Sequence, residues 1–386
     1  MNIKVELCEN HACTGCTACK AICPVDAIEM KYNEQGFLYP NVDETKCVHC
    51  GACNLIVKKL NAPANTDSLK KVPKHYYAVR LCDKNERMQS QSGGLFYALA
   101  LAVVQNNGLV CGCAFQENFH VGHIIASNVE ELQKLRGSKY VQSDLMDCFR
   151  QIKDCLNAGK EVLFSGTPCQ CAGINTYLEQ KGVPRDKFYS CDLICHGTPS
   201  PIVFEKFIEL MEEKYNSKIK YLNLRDKAIA SWHEPVERII FANDKVYQGK
   251  LYGEIFYSNL AQRKSCHNCK YTILIRPSDI TIGDCWGIEK TLPESWNDET
   301  GISVALIQNS KGERLFERAR QYLDLIVLDT YTQANLEHPS PVPKQMDNFW
   351  RDYQKLNFED CLKKYTSIGG IRLKIKRKLL RMIGKW

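Results

Sequence analysis

The sequence predicts a small α+β domain over residues 1–60 and a larger α/β domain over residues 76–335. Eight of the 21 cysteines lie before residue 54, so the N-terminal region differs in composition from the rest of the chain. Beyond residue 76, short β-rich runs alternate with helical patterns, which is typical of an α/β domain with a substantially parallel sheet. Between the two domains, residues 61–75 are polar, contain two prolines and have no periodicity, which predicts a linker.

Strands and helices of the larger domain are predicted from runs of β-branched and aromatic residues and from apolar residues at three- and four-residue steps. The predicted strands are Tyr76–Leu81, Leu109–Phe115, Glu161–Ser165, Phe188–Ile194, Ile280–Gly283 and Ser303–Gln308. The predicted helices are Leu95–Asn106, Asp144–Ala158, Ile202–Tyr215 and Glu313–Tyr322. Prolines at residues 336–343 interrupt the pattern, and we predict a helical C-terminal region over residues 336–386.

Length and composition are those of an ordinary soluble globular protein. With 386 residues, 44% of them hydrophobic and 25% charged, the chain can bury a substantial core without disulfides. No apolar run is long enough to span a bilayer, and the N-terminus lacks the apolar stretch of a signal peptide. We therefore expect a cytoplasmic protein, in which so many cysteines indicate metal ligation before disulfides.

The net charge of +7 is confined to the C-terminal tail. Residues 370–386 contain seven Lys and Arg residues and no acidic residue, and the rest of the chain is formally neutral. A neutral body gives no indication of nucleic-acid binding. Apolar residues recur at helical steps from Ile368 to Trp386, which predicts a basic amphipathic helix. Such a helix suits peripheral contact with an anionic membrane surface, or docking on the protein itself or on a partner.

The cysteines of the N-terminal region form two runs with the spacing of bacterial ferredoxins. The first run, C-x2-C-x2-C-x3-C-P, comprises Cys13, Cys16, Cys19, Cys23 and Pro24. The second run repeats the triplet with Cys47, Cys50 and Cys53. Zinc sites prefer cysteine pairs to triplets, and core packing gives no reason for a repeated spacing. The two runs therefore predict an α+β ferredoxin-like domain that binds two iron–sulfur clusters.

The second run lacks its fourth cysteine, because Val57 and Lys58 stand where cysteine and proline are expected. In two-cluster ferredoxins the fourth cysteine of each run ligates the other cluster. Cys23 therefore completes a 4Fe-4S site with the second triplet, whereas the site of the first triplet lacks one ligand. We expect that site to hold a 3Fe-4S cluster, to recruit another ligand such as Cys8, or to stay empty.

Four cysteines of the larger domain stand in contexts that favour ligation. Cys169 follows a predicted strand at a turn that opens a helix, where the positive helix end lowers the pKa of a thiol. Cys195 follows the next strand, at the sheet edge where open α/β sheets bind ligands. Cys266 and Cys269 form a C-x2-C pair that suits one metal or cluster. Together these four residues can supply the sulfurs of a further cluster.

Two further segments carry small and polar residues suited to cofactor binding. Residues 90–94, Ser-Gln-Ser-Gly-Gly, precede an apolar helical stretch, and bare glycine backbone at a helix N-terminus can hydrogen-bond a phosphate or a flavin edge. A turn that merely needs glycine explains the same residues equally well. Residues 136–143 form a second small, polar and basic patch, which would otherwise be a solvated loop.

Six strings of the larger domain occur in a distinctive order across about residues 76–335. They are SGGLFYALA, GSKYVQS, FSGTPCQCAG, DLICHGTPSP, CHNCKYT and SDITIGDCWG. In this order they resemble the family of coenzyme F420 hydrogenase/dehydrogenase beta subunits, and the N-terminal cysteine runs match members with a fused two-cluster domain. The resemblance implies that the larger α/β domain is flavin-binding, with FAD next to a 4Fe-4S cluster of its own.

The resemblance also assigns residues to these cofactors by their position in the strings. The implied cluster ligands of the larger domain are Cys169, Cys195, Cys266 and Cys269. The implied FAD contacts are Ser92, Gly93, Gly94, Ser138, Lys139, Tyr140, Gln142, Gly166, Thr167 and Pro168. No catalytic residue is identified. His196 could donate a proton, but we expect it to orient a loop or hydrogen-bond the cluster, and we expect Asp279 and Asp284 to be structural.

The predicted function is that of an FAD-dependent iron–sulfur oxidoreductase. Clusters pass one electron at a time whereas a flavin exchanges two, so the chain would link a one-electron redox protein partner to a small organic substrate. The resemblance suggests a deazaflavin-type coenzyme or a biosynthetic intermediate as that substrate. One alternative is an electron-transfer subunit of a larger redox complex with no substrate of its own. Another is a zinc-binding nucleic-acid or scaffold module, against which the neutral body and the cysteine triplets argue.

Overall fold

The computed structural model describes residues 4–9, 11–62, 73–287, 291–296 and 298–366. The predicted basic tail, with its predicted membrane contact, and most of the predicted linker lie outside these residues. Among the described helices, none combines the length and the apolar composition that crossing a bilayer requires.

The N-terminal region has the α+β arrangement that the cysteine runs predict. Its elements are α1 (Ala18–Ile22), β1 (Ile28–Tyr32), β2 (Leu38–Val42) and α2 (Ala52–Asn61). The strands form an antiparallel hairpin, and each helix begins inside a cysteine triplet. Thr17 before α1 and Gly51 before α2 have positive φ angles of 58° and 74°. These left-handed residues turn the chain at the start of each helix, so that the triplet folds around the helix end.

The larger domain contains a long series of strands and helices. Its strands are β3 (His75–Leu81), β4 (Leu109–Phe115), β5 (Val121–Ala126), β6 (Val162–Gly166), β7 (Phe188–Leu193), β8 (Ile219–Asn223), β9 (Glu237–Phe241), β10 (Val246–Gly249), β11 (Ile280–Asp284), β12 (Ser303–Ile307) and β13 (Leu323–Leu328). Its helices are α3 (Lys84–Met88), α4 (Leu95–Val104), α5 (Val129–Leu135), α6 (Cys148–Asn157), α7 (Pro168–Gln180), α8 (Pro201–Tyr215), α9 (Leu251–Tyr257), α10 (Ser310–Ala319), α11 (Met346–Lys355) and α12 (Phe358–Tyr365).

Eight of the described strands form one mixed sheet in the order β13-β3-β12-β11-β7-β6-β4-β5. The central strands β11, β7, β6 and β4 run parallel, whereas β12, β3 and β13 on one side and β5 on the other pair antiparallel. Only residues 116–120 connect β4 to β5, which is too short for the crossover that a parallel pair needs. The predicted α/β class is confirmed, but the prediction of a substantially parallel sheet holds only for its centre.

The predicted elements are all present in the described part of the chain, with ends that differ by up to four residues. The sequence analysis did not predict β5, β13 or the separate antiparallel sheet of order β10-β9-β8. Strands β8 and β10 are short and mostly exposed or half-buried, so their hydrophobic patterns are weak. The C-terminal helices α11 and α12 pack into the same hydrophobic core as α8, through residues such as Phe349, Leu362 and Phe207.

Helix α7 of the larger domain packs against the N-terminal domain. The Thr167 amide that precedes it donates to the Gln170 side chain at 2.9 Å, and Pro168 occupies the first turn. Further along α7, a Cβ at Gly173 would lie 3.0 Å from the Cβ of Cys16 and 3.2 Å from its Sγ. The domains also share a hydrophobic core that includes Ala18, Ile22, Ile28, Ile56, Phe149, Ile174 and Tyr177. The N-terminal domain is therefore packed directly against α7.

A buried ion pair anchors the loop that follows the C-x2-C pair. The side chains of Arg276 and Asp192 are 1% and 0% exposed, and Arg276 Nε lies 3.4 Å from Asp192 Oδ1. Arg276 also donates to the carbonyl of Leu193 at 2.8 Å and to that of Tyr271. These contacts tie the loop to the carboxyl end of β7, next to Cys195.

Replacing Arg276 by Met should destabilise the larger domain by about 3–5 kcal/mol, because it leaves the Asp192 carboxylate buried without its cation. Urea unfolding monitored by tryptophan fluorescence measures this change. The control is Arg320→Met, which removes an exposed pair with Glu317 (3.3 Å; side chains 57% and 49% exposed). That control should cost less than about 1 kcal/mol. Equal effects of the two substitutions would contradict the anchoring role of Arg276.

Candidate functional site

The structure brings Cys23 together with the second cysteine triplet, as the crossed ligation of ferredoxins predicts. These four residues surround one small cavity, which we call the outer site: Cys23, Cys47, Cys50 and Cys53. Aliphatic residues complete its lining, among them Val5, Ile28 and Val42. The Ala27 amide donates to Cys23 Sγ at 3.3 Å, and Cys50 is exposed. The set has the thiol number and the apolar surroundings that suit a 4Fe-4S cluster close to the protein surface.

The first triplet lines a larger cavity of about 350 Å³, which we call the cysteine cavity. We call its part around Cys13, Cys16 and Cys19 the middle site. Val57 lines the same cavity, and so does Cys8. Burial raises the pKa of the Cys19 thiol well above its usual value, and the neighbouring Cys16, Cys13 and Cys8 raise it further. Thiols this close and this buried are stable as thiolates only when a metal or cluster balances their charge.

The four cysteines predicted to hold the cluster of the larger domain also line the cysteine cavity. We call this set the inner site, and it comprises Cys169, Cys195, Cys266 and Cys269. Cys169 lies in the first turn of α7, and Cys195 follows β7. Cys266 lies within the short helical segment Lys264–Asn268, and Cys269 directly follows that segment. Burial raises the pKa of Cys169 to about 12, and Cys269, Cys266 and Cys16 add to the increase. The donor set fits a 4Fe-4S cluster, which would be adjacent to the middle site.

A buried arginine contacts the middle site. Arg263 is 1% exposed and forms no ion pair with a carboxylate of the described residues. Its Nη2 lies 3.5 Å from Cys13 Sγ, its Nε donates to the Cys13 carbonyl at 2.7 Å, and the guanidinium lies 4.1 Å from the ring centroid of Tyr39. Sequence analysis missed Arg263, whose only signal is its position three residues before Cys266. Because its charge is uncompensated by an acid, Arg263 favours negative charge at the middle site.

A second cavity, of about 340 Å³, lies at the carboxyl ends of β6, β7 and β11, and we call it the strand-end cavity. Its volume is within the range of cofactor sites, and its position is where parallel sheets bind ligands. Seven of the predicted FAD contacts line it, namely Ser92, Gly94, Ser138, Lys139, Tyr140, Gly166 and Thr167. The size, place and lining of this cavity are those of a ligand-binding site.

Three predicted FAD contacts do not line the strand-end cavity. The Gly93 amide donates to Ser303 Oγ at 2.9 Å, and a Cβ there would lie 2.3 Å from the Val79 carbonyl oxygen, so this glycine is packed against the sheet. The Gln142 side chain instead bonds the Thr14 carbonyl (3.2 Å) and Arg263 (3.1 Å). Pro168 lines the cysteine cavity.

Several residues of the strand-end cavity were not predicted. Asp284, expected to be structural, accepts hydrogen bonds from Arg225 Nη1 at 2.8 Å and from Ser92 Oγ. His123 is 3% exposed, and its Nε2 donates to the Ser165 carbonyl at 3.1 Å. Its Nδ1 has no hydrogen-bond partner among the described residues. A buried, unpaired acceptor in a cavity wall is what a bound ligand with a donor group satisfies.

Asp279 has the contacts of a structural residue. Its Oδ2 accepts from the amide of Ser190 at 2.8 Å and lies 3.2 Å from the ammonium of Lys311. Its Oδ1 accepts from the Asn309 side chain at 3.0 Å. These bonds connect β7, β11 and the start of α10 away from both cavities.

Residues of two segments line both cavities and form a wall between them. This shared wall consists of Thr167, which precedes α7, and of Cys195, His196, Gly197 and Thr198, which follow β7. Burial lowers the pKa of His196, whose Nε2 donates to Asn259 Oδ1 at 2.8 Å. The hydroxyl of Ser340 donates to the His196 carbonyl at 2.5 Å. These are the contacts of a neutral residue that orients neighbouring loops.

Comparison with known protein families finds matches in two regions of the chain. Residues 12–55 match a 4Fe-4S dicluster domain, so the chain is an iron–sulfur protein with a ferredoxin-type domain. More particularly, residues 159–330 match the C-terminal region of the coenzyme F420 hydrogenase/dehydrogenase beta subunit. This match confirms the resemblance that the strings of the larger domain indicate.

Individual relatives extend over most of the chain. The chain is 21% identical over 386 residues to one of the subunits of the F420H2 dehydrogenase of Methanosarcina mazei, covering 95% of this chain and 97% of the relative. It is 25% identical over 357 residues to an uncharacterized protein of Methanocaldococcus jannaschii, covering 82% and 89% respectively. Among solved structures, a chain of the F420-reducing NiFe hydrogenase complex of Methanosarcina barkeri gives a TM-score of 0.48 at 15% identity, covering 78% of this chain and 94% of that one.

Replacing Arg263 by Gln should lower the reduction potential of the middle cluster, because the guanidinium charge favours the reduced, more negative state. A unit charge about 6 Å away, at an effective dielectric constant of about 20, changes the energy by about 3 kcal/mol, or on the order of 100 mV for one electron. EPR-monitored redox titration measures the potential. Arg185→Gln, at an exposed position, should leave it unchanged. An unchanged potential in the Arg263 variant, with its cluster present, would contradict this role.

Proposed function

We propose that this chain is an iron–sulfur flavoprotein that passes electrons between its ferredoxin-type clusters and an FAD in the strand-end cavity. The two-electron chemistry of the flavin would then reduce or oxidise a small organic substrate, either a deazaflavin-type coenzyme or a biosynthetic intermediate. The observation that carries the proposal is the shared wall, in which Cys195 of the inner site also lines the cavity that fits a flavin.

The succession of the three cysteine sites supports electron transfer through the chain. The outer and middle sites are linked by α1, which lies between Cys16 and Cys23. The middle and inner sites line one cavity, and Cys16 is close enough to Cys169 to affect its pKa. The outer, middle and inner sites therefore follow one another, and the strand-end cavity lies next to the inner site.

The residues of the strand-end cavity supply cations and hydrogen-bond groups for an anionic cofactor. Lys139 Nζ donates to the carbonyls of Arg136 (2.8 Å), Gly137 (3.0 Å) and Lys134 (3.2 Å), and this holds the loop in place along the cavity. The Arg225 guanidinium, which also lines the cavity, is fixed by Asp284 at 2.8 Å. We infer that these groups position the cofactor, and that the aromatic side chains of this cavity exclude water from it.

A redox protein partner fits the outer site. Three large apolar side chains around this site are solvent-exposed: Val25 is 38% exposed, Val48 58% and Leu55 60%. Exposed apolar residues around an exposed cluster ligand, Cys50, are suited to transient docking of a protein that exchanges single electrons. The same observation favours the second candidate function, an electron-transfer subunit of a larger redox complex. The relative of Methanosarcina mazei is, by its name, a dehydrogenase subunit.

The cofactor content of anaerobically purified protein tests the proposal directly. We expect about 11 to 12 irons per chain together with one FAD, identified after acid release. Cys195→Ala should lose about four of these irons and should block electron transfer from a one-electron donor to the flavin. Cys82→Ala, at an exposed thiol outside the three sites, is the matched control. Protein that binds no flavin even after incubation with FAD would overturn the flavin part of the proposal.

Turnover by the isolated chain distinguishes the two candidate functions. An enzyme should oxidise reduced deazaflavin coenzyme, or another small donor, with an artificial electron acceptor in the absence of other proteins. An electron-transfer subunit should show cluster and flavin reduction only when its partner protein is added.

Gly112→Val should weaken flavin binding without unfolding the protein. A Cβ at Gly112 meets only side chains at ordinary contact distances, Leu135 at 3.4 Å and Phe96 at 3.7 Å, and all three residues line the strand-end cavity. The added methyl groups would then occupy space the flavin needs, at a cost of about 1–3 kcal/mol, which lowers the affinity about 5- to 150-fold. Flavin fluorescence titration measures the affinity, with Gly112→Ala as the milder control. Unchanged affinity in the Val variant would place the flavin elsewhere.

A further inference from the structure

The middle site has only three ferredoxin cysteines, because Val57 occupies the position of the fourth. We propose that Cys8 supplies the missing sulfur, so that Cys8, Cys13, Cys16 and Cys19 together bind a 4Fe-4S cluster. The sequence left open whether this site holds a 3Fe-4S cluster, recruits a ligand or stays empty. The inference rests only on the cluster-binding part of the proposed function, and it stands or falls independently of the flavin.

The segment that carries Cys8 packs along α2, the helix in which Val57 stands at the position of the fourth cysteine. The Glu6 amide donates to Asn54 Oδ1 of α2 at 2.9 Å, and Asn54 Nδ2 donates to the Lys4 carbonyl at 2.7 Å. One asparagine thus bonds two backbone groups of the extended segment, as a neighbouring strand would. Val5 and Leu7 meanwhile pack against the hydrophobic core shared by the two domains. These contacts fix residues 4–8 along α2.

The thiol of Cys8 reaches the face of α2 on which a fourth cysteine would lie. Cys8 Sγ lies 3.7 Å from Asn61 Nδ2 and 3.8 Å from Asn61 Oδ1. Asn61 is four residues after Val57, so the two side chains lie on the same face of the helix, one turn apart. Both residues line the cysteine cavity together with Cys8. The N-terminal segment therefore places the Cys8 sulfur near the position that a cysteine at residue 57 of α2 would occupy.

The other side chains near this position are less suited to ligation. His11 also lines the cavity, but its ring is 69% exposed and its Nδ1 lies 3.3 Å from the carboxylate of Glu9. Val57 has no donor atom. Cys8, by contrast, is half-buried and offers the thiolate that iron–sulfur clusters prefer.

Iron analysis and EPR of Cys8→Ala test the assignment. Alanine is used because a serine oxygen can itself ligate iron. After anaerobic purification, the variant should lose about one iron per chain and acquire the EPR signal of an oxidised 3Fe-4S cluster, whereas wild-type protein should lack that signal. Cys82→Ala removes an exposed thiol that lies beside Asp324, and it should resemble the wild type. His11→Ala should do the same.

A second variant separates ligation from damage to the fold. Val57→Cys restores the ferredoxin cysteine, so Cys8→Ala combined with Val57→Cys should recover the wild-type iron content and lose the 3Fe-4S signal. Recovery supports the assignment even if Cys8→Ala alone loses the whole middle cluster. The proposal is overturned if Cys8→Ala retains the wild-type iron content and spectrum, if wild-type protein already contains the 3Fe-4S cluster, or if the double variant recovers nothing.

Discussion

The close contact between α7 and the first cysteine triplet determines how the sites of this protein are arranged. A Cβ at Gly173 would lie 3.0 Å from the Cβ of Cys16, so the backbone of α7 passes very close to the first triplet, and the same helix begins with Cys169 of the inner site. This packing contact therefore sets the separation of the middle and inner sites. The hydrophobic core shared by the two domains supports the contact. The spacing of these two sites thus follows from tight packing of the N-terminal domain on α7.

Buried cations provide the second common feature of the sites. Arg263 lies at the middle site, and Lys139 lies along the strand-end cavity, where burial lowers its pKa to about 8. Lys227 donates to the carbonyls of Arg87, Ser92 and Thr300, and burial lowers its pKa to about 7. Carbonyl oxygens only partly compensate a buried ammonium group. An anion bound near such a position would stabilise its charged form further.

The cysteine sets can be recognised in the sequence because ligation depends on local spacing. The repeated triplet, the crossed Cys23 and the C-x2-C pair are visible as patterns, and the structure brings each set together. Arg263 could not be predicted, because a lone arginine has no pattern and meets Cys13 only in the folded protein. The strings locate the segments around the strand-end cavity, but they do not distinguish residues that face it from those, such as Gln142, that face the N-terminal domain. The antiparallel edges of the sheet were missed because hydrophobic runs do not encode strand direction.

The three cysteine sites differ in their surroundings. The outer site has an exposed ligand, Cys50, and exposed apolar residues beside it, whereas the half-buried Cys169 and Cys195 of the inner site line the cysteine cavity. Under the proposed function, a protein partner would approach the outer site and a small molecule would bind beside the inner site. The middle site would then pass the electrons between them. A cluster with one ligand missing would be the least stable of the three, and its loss would interrupt the path between the outer and inner sites. This is the physical reason for a cysteine in the otherwise irregular N-terminal segment.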